Sequence, residues 1–263
     1  MQVRILFLFL LALMARDSMA TCQSIRVGVI NYSFPPYYIY DTPQSTVPRG
    51  ASIELIKALG DSVGCPVTFI PLPLARLKAE LLAGTIDITP MEAQSNNEIG
   101  IAFPLNNNGQ LDIDRSVIST MVVFVRSIDH LDFETEPKTY FQNHVLGIRH
   151  GLATVITLRN TGIMVDDGAS DTLRNFDKLK LHRIDGFAIS LNIPDSLDSL
   201  VRSKYGDEII RLNRPALTVY NWIAVNRNYY DLHKDQVEAM WRWLGIKGRP
   251  KFLELIRKYT KEQ

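Results

Sequence analysis

Short β-rich runs alternate with amphipathic helical segments along this sequence, and this alternation constrains the fold more than any other feature. Ile25 to Ile30 is β-rich, and residues 52–63 then carry apolar side chains at helical spacing, with Ser52 as the expected N-cap. The next predicted elements are a strand at 66–70, a helix at 74–82 and a strand at 86–89. This order predicts a parallel sheet covered by helices, which is an α/β fold.

A second block of the same kind follows a polar stretch at residues 106–115, and it begins with a long β-branched run at 118–125. Its other predicted elements are strands at 146–149, 164–165 and 184–189 and helices at 154–159 and 173–181. An extended run at 217–225 and two helices within 232–259, broken near 245–250, complete the chain. Two blocks and a return of the chain predict two lobes joined by two crossings, with 118–125 and 217–225 as hinges.

The first 20 residues have the pattern of a signal peptide. An unbroken apolar run, Ile5 to Met14, follows Arg4 and is too short to span a bilayer. Small residues at Ser18 and Ala20 predict cleavage after Ala20, and a buried N-terminal helix is the alternative. We therefore expect the mature chain to be exported.

Charge is balanced in this chain, which has 29 basic and 28 acidic side chains. Removal of residues 1–20 takes away two basic side chains and one acidic side chain, so the mature chain is neutral. A neutral chain has no general electrostatic attraction to nucleic acid or to a membrane surface. We therefore expect neither of them as a partner.

The two cysteines each stand shortly before a predicted strand, Cys22 before 25–30 and Cys65 before 66–70. Exported proteins reside where disulfides persist, and the two thiols can meet if these strands are neighbours. Closing a loop of this length contributes roughly 4 kcal/mol in the chain-entropy description. Two buried free thiols are the alternative, and two cysteines without a nearby histidine make no zinc site.

The carboxyl ends of the predicted strands indicate where a ligand would bind, because ligands of open α/β sheets bind beyond these ends. The segments that follow the strands are the loop SFPPYY, the loop after residue 70, the loop TPMEAQSNN, the turn RHGLA and the residues after 187. We expect all five segments to face one cleft.

Several segments occur in the order and at the spacing found in one protein family. They are VGVINYSFPPYYI, GASIELIKAL, PLPLARLKAELLAGTIDI, IAFP, LGIRHG, LHRIDGFAIS and the C-terminal stretch from VNRNYYDL to LELIRKY. Together they cover nearly the whole mature chain. On these segments the chain resembles the family 3 solute-binding proteins of bacterial transporters, which have the two-lobed type II periplasmic binding protein (venus flytrap) fold.

The resemblance implies a division into lobes and a set of partners. Residues 1–20 would be the signal peptide, residues 21–119 and 218–263 would form lobe 1, and residues 120–217 would form lobe 2, each lobe being a helix-covered, mostly parallel sheet. The resemblance also implies a periplasmic monomer that captures a small-molecule solute between the lobes, with an ABC permease or a membrane sensor as protein partner. No cofactor, metal or enzymatic activity is expected.

The anchors that family members use for amino acids are replaced in this chain. Such members hold the ligand carboxylate with an arginine after the third strand, and they hold the ligand ammonium with a carboxylate after the RIDG-type motif. The matching positions are Asn97 and Ser190, and Leu152 and Ala153 stand where hydroxyl residues usually follow the lobe 2 glycine. A buried carboxylate without a charged partner is costly, so we expect a polar, weakly charged or cationic ligand at this loop.

Other candidate ligand contacts lie in lobe 1. Phe34 stands where the family stacks an aromatic ring on the ligand, and Tyr37 follows it, although both are alternatively packing residues of a rigid turn. Arg76 opens a helix and either points into the cleft or pairs on the surface with an acid one turn away. Met91 and Glu92 begin the loop after the third strand, where Glu92 either binds a cation or hydroxyl groups or is solvated.

Lobe 2 contributes the candidates Arg149, His150 and Gly151 at the end of a strand. Backbone amides beside Gly151 can bind an anion. We expect His150 to be a hydrogen-bonding wall of the pocket, and Trp222 to be a core residue rather than a platform for the ligand.

Three functions are compatible with these features. The first is a solute-binding protein that captures a polar, amino-acid-like solute for an ABC transporter, and the second is a periplasmic sensor or partner-binding module that no longer serves transport. The third is a dehydratase-like enzyme in which Glu92 acts with Arg76 or His150 as acid and base. The replaced anchors favour the second somewhat, and the third is disfavoured because the sequence has no nucleophile-elbow motif, no phosphate-binding loop and no metal-ligand set. We favour the first.

Overall fold

The computed structural model describes residues 22–42 and 45–262, and the predicted signal peptide lies outside these residues. The first block consists of the strands β1 (Ile25–Ile30), β2 (Val67–Leu72), β3 (Ile88–Met91) and β4 (Ile101–Ala102) and the helices α1 (Ala51–Asp61) and α2 (Leu74–Ala83). β1 pairs in parallel with β2 on one side and with β3 on the other. α1 buries the apolar stripe that its spacing predicts, which includes Ile53, Ile56 and Leu59.

The second block has five strands and four helices. The strands are β5 (Val117–Arg126), β6 (Val145–Arg149), β7 (Met164–Ala169), β8 (Gly186–Leu191) and β9 (Ile209–Arg211), and the helices are α3 (Pro137–Tyr140), α4 (Thr154–Asn160), α5 (Thr172–Lys180) and α6 (Asp198–Tyr205). β6 lies parallel to both β7 and β8.

The end of the chain returns to the first block. It consists of β10 (Leu217–Asn226), α7 (Arg227–Leu232), α8 (Lys234–Trp243) and α9 (Arg249–Lys261). A π-helical turn, Leu244–Gly248, joins α8 to α9 at the place where the sequence predicted a break. None of the described helices is long and apolar enough to cross a membrane.

β5 and β10 pass side by side between the two blocks. Residues 217–221 of β10 pair with residues 117–121 of β5, and residues 222–225 of β10 continue along β3. The resulting strand order is β2-β1-β3-β10-β5-β8-β6-β7. The antiparallel pairs between these strands all involve β5 or β10. The other pairs, β1 with β2 and β3, and β6 with β7 and β8, are parallel. The predicted α/β fold with mostly parallel blocks is thus confirmed.

Gly50, and not the predicted Ser52, is the N-cap of α1. Gly50 has a φ of 127°, and a Cβ at this position would lie only 2.5 Å from the carbonyl oxygen of Tyr37. The first amide groups of α1 donate to the loop instead, from Ala51 to the Pro36 carbonyl and from Ser52 to the Tyr37 carbonyl. The start of α1 therefore holds the loop SFPPYY in place.

A disulfide joins Cys22 to Cys65, whose Cα atoms lie 5.1 Å apart. The strands that follow these cysteines, β1 and β2, are parallel neighbours in which Ile25 lies opposite Val67. This register brings Cys22 and Cys65 together at the edge of the first block, as the sequence predicted.

Candidate functional site

A cavity of about 160 Å³ lies where the two blocks meet, beyond the carboxyl ends of several strands. Its polar lining consists of Tyr32, Tyr37, Tyr38, Ser52, Thr89, Glu92, Ser119, Arg149, Ser190, Asn192 and Asn221. The apolar lining includes Val29, Ile30, Phe34, Leu55, Ile56, Leu77, Leu152, Trp222, Ile223 and Phe252. Pockets for drug-sized ligands measure about 300–1,000 Å³, so this cavity suits a small solute.

Arg149 is a buried cation in the cavity wall, with 6% of its surface exposed. It is the last residue of β6, and its guanidinium carbon lies 4.2 Å from the centroid of the Phe34 ring. One terminal nitrogen, Nη1, donates to the Tyr32 hydroxyl at 3.4 Å, and Nε has no hydrogen-bond partner. Within the part of the chain that the structure describes, Arg149 makes no ion pair, so a charge in the cavity wall remains unmatched.

Glu92, the first residue after β3, connects the two blocks. Its carboxylate accepts a hydrogen bond from the hydroxyl of Thr154 at the start of α4. Burial raises the pKa of Glu92, while the hydrogen bonds from Thr154 and the charge of Arg149 act in the opposite direction. Glu92 is therefore a carboxyl group of the cleft, and the alternative of a solvated loop residue does not describe its position.

Tyr37 makes a second bridge between the blocks. Its hydroxyl oxygen accepts a hydrogen bond of 3.0 Å from the backbone amide of Asn192, the residue directly after β8. Its ring centroid lies 4.9 Å from that of Phe34. Burial raises the pKa of Tyr37 to about 12, so the hydroxyl keeps its proton at neutral pH.

Ser190, a candidate from the sequence, lines the cavity from β8. Its hydroxyl oxygen is buried and has no hydrogen-bond partner among the described residues. A hydroxyl in such a position both donates and accepts, so it can bind a neutral or a charged polar group of a ligand.

Three further predicted residues, Met91, His150 and Gly151, border a neighbouring cavity of about 380 Å³ that also touches Glu92. The His150 ring is exposed, and its Nδ1 lies 3.2 Å from the carbonyl oxygen of Asp167. Gly151 has a φ of 90°, and a Cβ there would lie 3.0 Å from the backbone nitrogen of Ala75. Gly151 therefore allows the turn after β6 to approach the start of α2 closely.

Arg76 and Asn97 are the two predicted residues whose side chains are exposed and line neither cavity. The loop that contains Asn97 is held back against α2 by an ion pair of 2.5 Å between Lys78 and Glu98. Only the beginning of this loop, at Glu92, reaches the cavity between the blocks.

Some residues of the site were not among the sequence candidates. Tyr32 contacts Arg149, Thr154 bonds Glu92, and Asn192 bonds Tyr37. Tyr32 and Asn192 directly follow or nearly follow the carboxyl ends of strands, which is a signal that position alone could have supplied. Trp222, expected in the core, is buried and also lines the cavity.

No protein-family model and no curated protein matches this sequence. Solved structures match this chain in fold, and the following three differ in the kind of protein that has this fold.

The first is a mutant of ArgBP from T. maritima, with 19% identity, a TM-score of 0.65 and coverage of 90% of this chain and 95% of that one. The second is AbpA from Streptococcus pneumoniae, an amino acid ABC transporter substrate-binding protein bound to L-arginine, with 11% identity, a TM-score of 0.66 and coverage of 92% and 96%. The third is AncCDT-1, an ancestral amino acid-binding protein that is a precursor of cyclohexadienyl dehydratase, with 15% identity, a TM-score of 0.64 and coverage of 90% and 95%.

These structures share the two-lobed type II periplasmic binding protein fold, and the similarity over nine-tenths of the chain shows that this protein has the same fold. At such low sequence identity the likeness concerns the fold alone.

Proposed function

We propose that this protein captures a small polar solute between two lobes in the periplasm and presents it to an ABC transporter. The observation that carries the proposal is the cavity at the junction of the two blocks, whose walls come from both and are joined across it by hydrogen bonds. Glu92 bonds Thr154, and Tyr37 bonds the amide of Asn192. A ligand enclosed there would contact both lobes at once, which couples binding to closure.

The proposed lobes are residues 21–119 with 218–263, and residues 120–217. β5 and β10 would be the hinges, because they are the strands that continue from one block into the other. Hinges of this kind absorb the change in backbone angles at a few positions while each lobe moves as a unit.

The proposed solute is amino-acid-like or related in size and polarity. Support comes from the small volume of the cavity and from its mixture of polar groups and apolar walls. AbpA, which shares the fold, was solved with L-arginine bound. Since Asn97 is exposed and Ser190 replaces an acid, the polar contacts to the solute differ from those of the family pattern.

A thermal-shift screen of the purified protein tests this proposal. The compounds are amino acids, polyamines, organic acids and sugars, because a ligand that binds only the native state raises the melting temperature with its concentration. We expect one chemical class to raise the midpoint in a saturable way. A well-folded protein that no class stabilises would contradict the solute-binding function.

A dehydratase-like activity is the second candidate. The half-buried Glu92, with its raised pKa and the nearby charge of Arg149, is the kind of group that acts as an acid or base. The fold is also that of AncCDT-1, the dehydratase precursor. Incubation of the protein with any ligand from the screen, followed by product analysis for wild type and Glu92→Gln, separates the two functions: turnover that Glu92→Gln abolishes would establish the enzyme, and recovery of unchanged ligand supports binding alone.

A further inference from the structure

The two buried arginines of the described chain have very different surroundings. Arg126 donates to the carbonyl oxygens of Leu179 and Ile184 and forms ion pairs with Asp129 and Asp185. Arg149 is equally buried, yet it makes no ion pair within the described residues and its Nε is unpartnered. A buried cation is costly unless a carboxylate or a similar anion compensates it. Arg126 has that compensation within the protein, and Arg149 does not.

The guanidinium of Arg149 is held in an orientation that suits an incoming anion. It lies over the face of the Phe34 ring, at 4.2 Å from the centroid, and Nη1 is fixed by the Tyr32 hydroxyl at 3.4 Å. Stacking uses the flat face of a guanidinium and leaves the N–H groups on its edge available. A carboxylate accepts two parallel hydrogen bonds from such an edge, whereas a neutral amide or an amine does not.

Glu92 is the one carboxyl side chain among the residues that line the cavity, and it does not form an ion pair with Arg149. Its carboxylate is engaged by Thr154 on the opposite side of the cleft. The charge of Arg149 acts against the larger effect of burial, which raises the pKa of Glu92, and the two side chains form no ion pair. No carboxylate of the described residues therefore pairs with Arg149, and the carboxylate of a ligand can take that place.

The rest of the cavity wall is largely apolar. Leu55, Ile56, Trp222 and Phe252 line the cavity together with Phe34. A ligand whose charge is at one end and whose body is hydrocarbon would satisfy both parts of the wall.

We propose that the solute of this cleft is a small carboxylic acid with an apolar body, and that Arg149 binds its carboxylate. The anchor then comes from the strand end of β6 in the second block, and not from the loop after β3. This inference rests on the proposed solute-binding function and gives it a chemical class.

Matched sets of probes test the inference directly. The carboxylates are 4-methylpentanoate and phenylacetate, and each is compared with its primary amide and with its amine, 4-methylpentylamine or phenethylamine, by isothermal titration calorimetry. We expect at least one carboxylate to bind, and its amide to bind about 10- to 100-fold more weakly because the charged hydrogen bonds are lost. Equal affinity for the amide or the amine, or no binding of either carboxylate, would overturn the inference.

Variants of Arg149 show whether this residue is the anchor. Arg149→Met should remove carboxylate binding. Arg149→Lys should retain part of it, because the positive charge remains while the paired N–H donors of the guanidinium are lost. The matched control is Arg174→Met, which removes an exposed arginine of the same block and should bind like the wild type. A cooperative thermal transition for each variant shows that the fold is intact.

Two results would contradict the role of Arg149: carboxylate affinity that survives Arg149→Met, or equal losses in the methionine and lysine variants. Failure of this inference can be told apart from failure of the proposed function. A neutral or cationic ligand found in the broad screen would keep solute binding and end the carboxylate assignment. A protein that binds nothing in the screen would end both.

Discussion

The same side chain carries out two different tasks at Arg126 and at Arg149. Arg126 is a structural cation, since two carboxylates and two carbonyls surround it. Arg149 is kept buried against Phe34 and Tyr32 with part of its hydrogen-bonding capacity unused. Polar groups without a hydrogen-bond partner in a cleft lower the stability of the free protein, and ligand binding restores that stability.

Unfolding free energies of methionine variants should separate these tasks. Arg126→Met leaves two half-buried carboxylates without their partner and should cost on the order of 3 kcal/mol. Arg149→Met removes an uncompensated charge, so its free energy of unfolding should stay within about 1 kcal/mol of the ligand-free wild type or exceed it. Urea denaturation measures both, with Arg174→Met as the control. Equal destabilisation by the two buried substitutions would show that Arg149 is structural as well.

At the residue scale, position at a strand end was the informative signal in the sequence. Phe34, Tyr37, Glu92, Arg149 and Ser190 all follow or end predicted strands, and all line the cavity. Asn97 lies further along the loop that begins with Glu92, and Arg76 lies in the first turn of α2, and both side chains are exposed. The direction in which a loop side chain points depends on contacts such as the ion pair between Lys78 and Glu98. No periodic pattern in the sequence predicts such contacts.

At the scale of elements, the loop after β3 and the start of α4 form the contact that closes the cleft on one side. Glu92 and Thr154 make this contact, and Gly151 brings the turn before α4 close to α2. The ionisation of Glu92 should therefore influence how firmly the two elements hold together.

The pH dependence of stability follows from the raised pKa of Glu92. Burial is the main cause of the increase, so the folded protein holds the proton of Glu92 more tightly than the unfolded chain does. The contribution of Glu92 to the free energy of unfolding is fully present below the ordinary pKa of glutamate. It is lost as the pH rises through the raised pKa of the folded protein.

Comparison of the wild type with Glu92→Gln isolates this effect, because all other titrating groups cancel and glutamine still accepts the bond from Thr154. Urea unfolding from about pH 4.5 to about pH 8 should show the wild type losing stability relative to the glutamine variant as the pH increases. A constant difference would mean that Arg149 and Thr154 balance the effect of burial, and a wild type that gains relative stability would mean that they outweigh it. Either result would contradict the prediction.

Most of the long elements were predictable from sequence, although the helix α6 was not predicted, and the shortest elements were not predictable. β1 was placed at its observed bounds, and α2 ends before Gly84, whose φ is 72°, as the pattern of apolar residues and glycine indicates. β4, α3 and β9 have two to four residues each, too few for a periodic pattern. β4 and β9 form because β10 and β5, which are distant in sequence, supply their pairing partners.

At the scale of the whole molecule, β5 and β10 provide a continuous hydrogen-bonded path between two separately built blocks. The order of elements in the sequence was sufficient to predict two blocks and two crossings. The chemistry of the cleft was less predictable, because it depends on which side chains from both blocks meet across it.

The central claim is that a solute is held between two lobes that close on it. Small-angle X-ray scattering of the protein tests this most directly, with and without a saturating concentration of the ligand that the screen identifies. We expect the radius of gyration to decrease on saturation, because bonds such as those of Glu92 and Tyr37 form across the cleft only when the lobes are together. A radius of gyration that is unchanged by a ligand bound at saturation would contradict the account.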